Sequence, residues 1–132
     1  MSTTEAKALF EAGKLNEAIE ALTGEVKTSP ADTARRTFLF ELLCFAGEWD
    51  RAEKQLDVIG HQSAQAELGV LVYRHNIKAE RERRKVFTEG APPHFLNEPP
   101  AYVDFLVEAL GKMRGGDAQG ARESLDRAEE ER

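Results

Sequence analysis

Two glycines 34 residues apart constrain this chain more than any other feature. Gly13 and Gly47 share that spacing with Leu15 and Trp49, Ala18 and Ala52, and Leu22 and Leu56, so GKLNEAIEAL aligns without a gap on GEWDRAEKQL. A third string, GDAQGARESLDRA, places Gly116, Ala121 and Leu125 at the same offsets and adds Ala128. Each residue type has a physical reason for its place. Gly permits the positive φ of a tight turn. Ala five residues later lets two helices approach closely, and the large apolar residue one turn further fills the space between them. A period of this length marks stacked supersecondary units, each too small to bury its apolar face alone.

A 34-residue unit with Gly, then Ala, then a large apolar residue resembles the tetratricopeptide repeat. The expected fold is all-α: tetratricopeptide-like helical hairpins in a short right-handed solenoid of about six helices, with residues 1–132 as one domain. β-Branched residues are scattered, and no strand-like alternation persists. The composition, 41% apolar and 32% charged, suits a globular domain with a core. A net charge of −6 argues against a general nucleic-acid binder, which needs a positive surface facing phosphates. No apolar run approaches the ~18 residues that span a bilayer. No basic start followed by an apolar core marks a signal peptide, and Cys44 has no cysteine to pair with. The expected location is the cytoplasm.

Read in order, the hairpins fall at about 3–28 and 33–60, a long helix at about 63–87, a Pro-rich connection at 88–99 and a last hairpin at about 100–130. Ala6, Leu9 and Phe10 face inward on the first helix; Ala18, Leu22 and Val26 form the buried stripe of the second. Asn16, Asp32 and Asp50 are candidate N-caps, Asp50 with Glu53 at capping-box spacing. The third helix has one apolar face of Phe38, Leu42 and Phe45 and another of Leu39, Leu43 and Ala46, so it should be covered on most sides. Trp49 covers the hairpin turn, and Cys44 reads as a small buried hydrophobe more readily than as a reactive thiol. Leu68, Leu71, Val72 and Tyr73 are expected to pack the first half of the long helix. Its middle, KAERERRKV, reads as a solvated face self-paired through Glu80–Arg84 and Lys78–Glu82, or as a small basic patch for an acidic partner. Pro99 or Pro100 suits the first turn of the next helix, which packs through Phe105, Leu106, Ala109, Leu110 and Met113. The last helix, with Ala121, Leu125 and Ala128 on one edge, has no polar capping element beyond it. That edge would pack on a further segment or on a second copy; the sequence does not give the oligomeric state.

No arrangement of residues supports catalysis. His61, His75 and His94 lie far apart, one cysteine cannot build a thiolate zinc site, and no glycine-rich phosphate loop follows a strand. No cofactor, metal or catalytic residue is expected, and the chain reads as a binding protein. In tetratricopeptide arrays the first helix of each pair lines a groove for peptides or helical segments. By register the groove candidates are Phe38, Glu41 and Phe45, then Leu71 and His75, then Leu106 and Leu110. The Lys and Asn carboxylate clamp of some tetratricopeptide co-chaperones is replaced here by Thr37, Glu41, Leu71 and His75, which removes that reading.

Three longer strings narrow the resemblance: ALFEAGKLNEAIEAL, SPADTARRTFLFELLCFAGEWDRAEKQLD and NEPPAYVDFLVEALGKMRGGDAQGARESLDRAEE. They resemble the ImpE family, also called TagJ, of accessory proteins in bacterial type VI secretion. Phe38, Phe40 and Trp49 together are the most specific part, because generic repeats do not fix all three. The resemblance implies that the chain corresponds to an N-terminal, helical-repeat half, without a second half of different composition. It also implies a non-enzymatic adaptor that contacts the N-terminal helix of the small contractile-sheath subunit, or the machinery that recycles the sheath, through one half or the other. The alternative is a general tetratricopeptide scaffold in another cytoplasmic complex.

Overall fold

The computed structural model describes residues 2–132, with side chains from Glu5 onward. Seven helices and no strand occur among the described residues: α1 (Ser2–Glu11), α2 (Leu15–Thr28), α3 (Thr33–Phe45), α4 (Trp49–Gly60), α5 (Ala64–Thr88), α6 (Tyr102–Arg114) and α7 (Ala118–Glu131). The all-α, hairpin-built class matches the sequence reading, with seven helices in place of about six.

The repeat glycines make one turn three times over. Gly13, Gly47 and Gly116 have φ of 78°, 73° and 79°. At each, the glycine N–H donates to the carbonyl three residues back: Phe10 at 2.9 Å, Cys44 at 3.1 Å and Met113 at 3.1 Å. The next N–H donates five residues back, from Lys14, Glu48 and Asp117 to Leu9, Leu43 and Lys112, each at 2.9 Å. This paired bonding is the Schellman motif, which satisfies the orphan carbonyls of the closing helix. The residue after each glycine is already the N-cap of the next helix, so the whole link is three residues long.

That economy corrects two expected caps. Asn16 lies inside α2 and Asp50 inside α4, because the turn puts Lys14 and Glu48 at the cap positions, neither with a side-chain cap bond. Asp32 does cap α3, accepting from the Arg35 N–H at 3.1 Å. Ser63 Oγ accepts from Ala66 at 3.0 Å at the start of α5, and Asp117 from Gly120 at 2.8 Å at the start of α7. Pro99 and Pro100 precede α6 and are not part of it; the Pro100 carbonyl accepts from Val103 at 3.0 Å.

The chain divides into two compact units, residues 1–77 and 78–132, where the sequence reading takes one domain throughout. The division falls inside α5, in the stretch Lys78–Lys85, where seven of eight side chains are charged and none is buried. A segment whose one apolar side chain is a single alanine has little to knit a core around it.

In the first unit α2 packs on α1 and α3, and α3 on α4. The core contains Ala6, Ala18, Ile19, Leu22, Val26, Leu39, Phe40, Leu42, Leu43, Ala52, Leu56, Ile59, Val70 and Ile77, with Trp49 and Cys44 partly buried against it. Burial pushes the Cys44 thiol up, with Glu41 adding to the effect, which keeps it protonated and inert. The third helix is less covered than its composition suggests: Phe45 is 70% exposed and Ala46 is exposed. The first half of α5 is also turned the other way from expectation. Leu68, Leu71, Val72 and Tyr73 are exposed, and Val70 and Ile77 are buried in their place. Val70 lies against Gly60, and Tyr73 meets Phe40 edge-on at a ring separation of 5.1 Å.

The second unit is an α6–α7 hairpin beside the end of α5. Of the residues expected to pack α6, only Ala109 is buried; Leu106 and Met113 are exposed. On α7, Ala121, Ser124 and Ala128 are buried and Leu125 is exposed. Lys112 Nζ reaches across from α6 to donate to Ser124 Oγ at 2.9 Å, a polar pair across the hairpin. Arg114, the last residue of α6, donates through Nη1 to the carbonyls of Val86 at 3.0 Å and Phe87 at 3.3 Å. It thereby caps the end of α5, and its guanidinium packs so close to Gly90 (φ 77°) that a Cβ there would lie 2.9 Å away.

Candidate functional site

The groove residues expected from register fall into three surfaces. On the first unit, Phe10 of α1 stacks between two residues of α3. Its ring is 6.5 Å from Phe38 in an edge-on arrangement and 5.6 Å from Phe45. Phe38 is partly buried against the core, whereas Phe45 and Glu41 face solvent. The structure therefore brings Phe38 and Phe45 together around Phe10, with the Glu41 carboxylate one helical turn from Phe45. An aromatic edge with a single acidic neighbour suits an apolar segment carrying a cation.

The second surface, also on the first unit, is a hollow of about 870 Å³ between α4 and α5, with Leu56, Gly60, Leu68 and Leu71 among its lining. Arg74 forms an ion pair with Asp57 at its rim. Leu71 belongs to this hollow; His75 is exposed one turn further along α5 and does not line it.

The third surface is a groove of about 560 Å³ in the second unit, between the end of α5, the Pro-rich connection and α6. Val86, Phe87, Phe95, Leu106 and Leu110 supply most of its apolar wall, so Leu106 and Leu110 do share one site. Arg83 stands at its edge with its guanidinium 5.5 Å from the Phe87 ring centre. Glu80 anchors Arg83 through bonds of 2.6 and 2.8 Å and also accepts from Arg84 at 3.2 Å. These two arginines hold the Glu80 carboxyl down to a pKa of about 2. Glu82 pairs with Lys85 at 3.3 Å instead of with the expected Lys78. The charged run is thus largely self-paired, as one sequence reading has it.

Phe87 and Phe95 were not among the register candidates. Phe95 lies in the irregular connection, where helical periodicity carries no signal, and Phe87 lies beyond the last full turn of regular spacing on α5. Of the four positions read against the carboxylate clamp, Thr37 and Glu41 lie on α3 and Leu71 and His75 on α5. Among the described residues, no group of three or more His, Cys, Asp or Glu side chains is placed to hold a metal ion, and no helix is long and apolar enough to cross a membrane.

Comparison with known proteins agrees with the turns. Residues 9–69 match the tetratricopeptide repeat family, a span that holds the first two glycine turns. The chain is also 36% identical, over 123 residues and 93% of its length, to the type VI secretion system accessory component TagJ of Pseudomonas aeruginosa. It spans 44% of the length of that relative. Turn geometry, repeat match and relative converge: the chain carries tetratricopeptide-type hairpins and is similar to TagJ over nearly its whole length.

Proposed function

We propose that this chain is a non-enzymatic adaptor of a bacterial type VI secretion system, working by protein–protein contact in the cytoplasm. The observation that carries the reading is the 36% identity to an accessory component of that system across nearly the whole chain. Three apolar surfaces held on short helical hairpins support it, since such surfaces take up helical or extended segments. The finer proposal is that the partner is the N-terminal helix of the small contractile-sheath subunit, or the machinery that recycles the sheath. The contact would use Phe38, Glu41 and Phe45 on one unit, Leu71 and His75 on α5, and Leu106 and Leu110 on the other.

The test is co-purification from cells that express a type VI system. The full-length protein should retain the small sheath subunit and lose it when that subunit's N-terminal helix is deleted. Phe45→Ala and Leu106→Asp, both at exposed positions, should weaken retention without unfolding the chain. Retention of no type VI component would refute the adaptor reading. Retention of other type VI components without the sheath subunit would refute only the finer one.

A further inference from the structure

The long helix α5 carries two apolar stripes on opposite faces, and only one is used. Val70 and Ile77, seven residues apart, point into the core of the first unit. At 100° per residue, Leu68, Leu71, Val72 and His75 form a second stripe about half a turn away. Leu68 is 67% exposed, Leu71 51% and Val72 60%, and His75 is exposed as well. This is i, i+3, i+4, i+7 spacing, the pattern of a helix face that meets another helix. The repeat explains why the face is bare. A third turn glycine would fall 34 residues after Gly47, at position 81, but that residue is Arg81 and α5 runs straight through it. The first two repeats fold a second helix back onto the first; α5 has no second helix of its own.

The residues flanking the stripe say what fits. On one side lie Glu67 and Arg74, seven residues apart, with Arg74 anchored by its ion pair to Asp57. On the other lie Gly69 and Asn76, which are small and uncharged; a Cβ added at Gly69 would meet nothing within 4 Å. Two copies of such a helix are self-complementary when antiparallel. Leu68 then faces His75 of the other copy, Leu71 faces Val72, and like flanks meet, so Glu67 of each copy lies beside Arg74 of the other. Parallel packing would instead place the charged flank against Gly69 and Asn76 and form no ion pair. We propose that a second copy of this chain docks antiparallel on α5 through Leu68, Leu71, Val72 and His75, with two Glu67–Arg74 pairs fixing the direction. A seam of four residues from each copy is small for a stable interface, so the dimer is a weak one that dissociates on dilution. The proposal does not depend on the secretion reading, and it gives Leu71 and His75 to a second copy, so a partner that bound at those residues would compete with the dimer.

The test is sedimentation velocity on the 132-residue chain across a dilution series from millimolar to low micromolar. We expect a concentration-dependent dimer. Leu71→Glu should weaken it at least tenfold with the helical circular dichroism unchanged, because the residue is exposed in the single chain. Glu67→Lys should weaken it less, and added salt should do the same to the native chain. Leu71→Cys in a Cys44→Ser background should give a disulfide-linked dimer on mild oxidation, since residue 71 lies next to the two-fold axis; Leu125→Cys in that background should not. A chain that stays monomeric at millimolar concentration overturns the proposal. So does a dimer that Leu71→Glu leaves intact, which would mean that copies meet elsewhere.

Discussion

Leu22, Leu56 and Leu125 occupy the same place in the repeat, nine residues after a turn glycine, and have different fates. The first two, in the N-terminal unit, are 0% and 2% exposed; the third, in the C-terminal unit, is 43% exposed. The turns before them are alike to within 6° in φ and share both hydrogen bonds. The difference therefore does not lie in local geometry. In the first unit α2 is followed by α3, which packs on it, and α4 is followed by α5, whose Val70 faces α4's Gly60. In the second unit α7 packs chiefly on α6. A repeat sequence specifies the hairpin; the next helix decides whether the outward leucine is core or surface.

This comparison is easiest to break with leucine truncations. Leu56→Ala should cost about 2–5 kcal/mol in urea unfolding, as buried leucines do, and Leu125→Ala about 0.5 kcal/mol or less. Equal costs would show that Leu125 is covered in solution. The turns should behave oppositely, as equals. Gly47→Ala and Gly116→Ala each force an L-residue to positive φ and should each lose about 1–2 kcal/mol, whichever unit they sit in. The Arg114 cap belongs to the second unit alone. Arg114→Ala should cost about 1 kcal/mol and should speed hydrogen exchange at the end of α5 while leaving the amides of α2 unchanged.

The smallest effect separates the units by the sign of their pH response. Glu25, in the first unit, is mostly buried, with Arg35 Nε 4.0 Å away. Burial raises its carboxyl pKa, Arg35 opposes this, and Glu5 reinforces it. A carboxyl whose folded pKa is raised binds more protons in the folded state, so stability falls as pH rises from the ordinary carboxylate range through the raised value. Glu25→Gln should remove that slope and stabilise the chain near neutral pH by up to about 1 kcal/mol. Glu80, in the second unit, has its pKa lowered to about 2 by Arg83 and Arg84. Its contribution is present above the ordinary carboxylate pKa and is lost as pH falls toward 2. Glu80→Gln should therefore slightly reduce helicity at neutral pH and have no effect in strong acid, as circular dichroism at the two pH values would read.

What was legible in the sequence is what local covalent spacing controls. The glycine period gave the three turns, and Asp32 announced a helix start that the structure keeps. Asn16 and Asp50 misled because a three-residue Schellman link leaves no room for a cap further along. The stripes of α5 misled for a different reason. With apolar residues on two opposite faces, periodicity says that a face exists and is silent on which one the neighbours cover. The four expected to pack were Leu68, Leu71, Val72 and Tyr73; Val70 and Ile77 took that role because α4 offers Gly60 to Val70. The Lys112–Ser124 bond and the Arg114 cap join residues whose types are ordinary on any helix surface, so no sequence pattern marks them. Register pairs Leu106 with Leu110, which line one groove, but does not mark Phe87 at the end of α5 or Phe95 in the Pro-rich connection, which line it too.

The three-residue links also bear on how quickly the molecule assembles. Every helix pair joined by a Schellman turn finds its partner within some thirty residues of chain, so closing each hairpin costs little loop entropy. Each of the three turns can act as a separate starting point, with α1–α2, α3–α4 and α6–α7 forming in any order. Refolding should then be fast and tolerant of turn mutations one at a time, because no single hairpin has to form first.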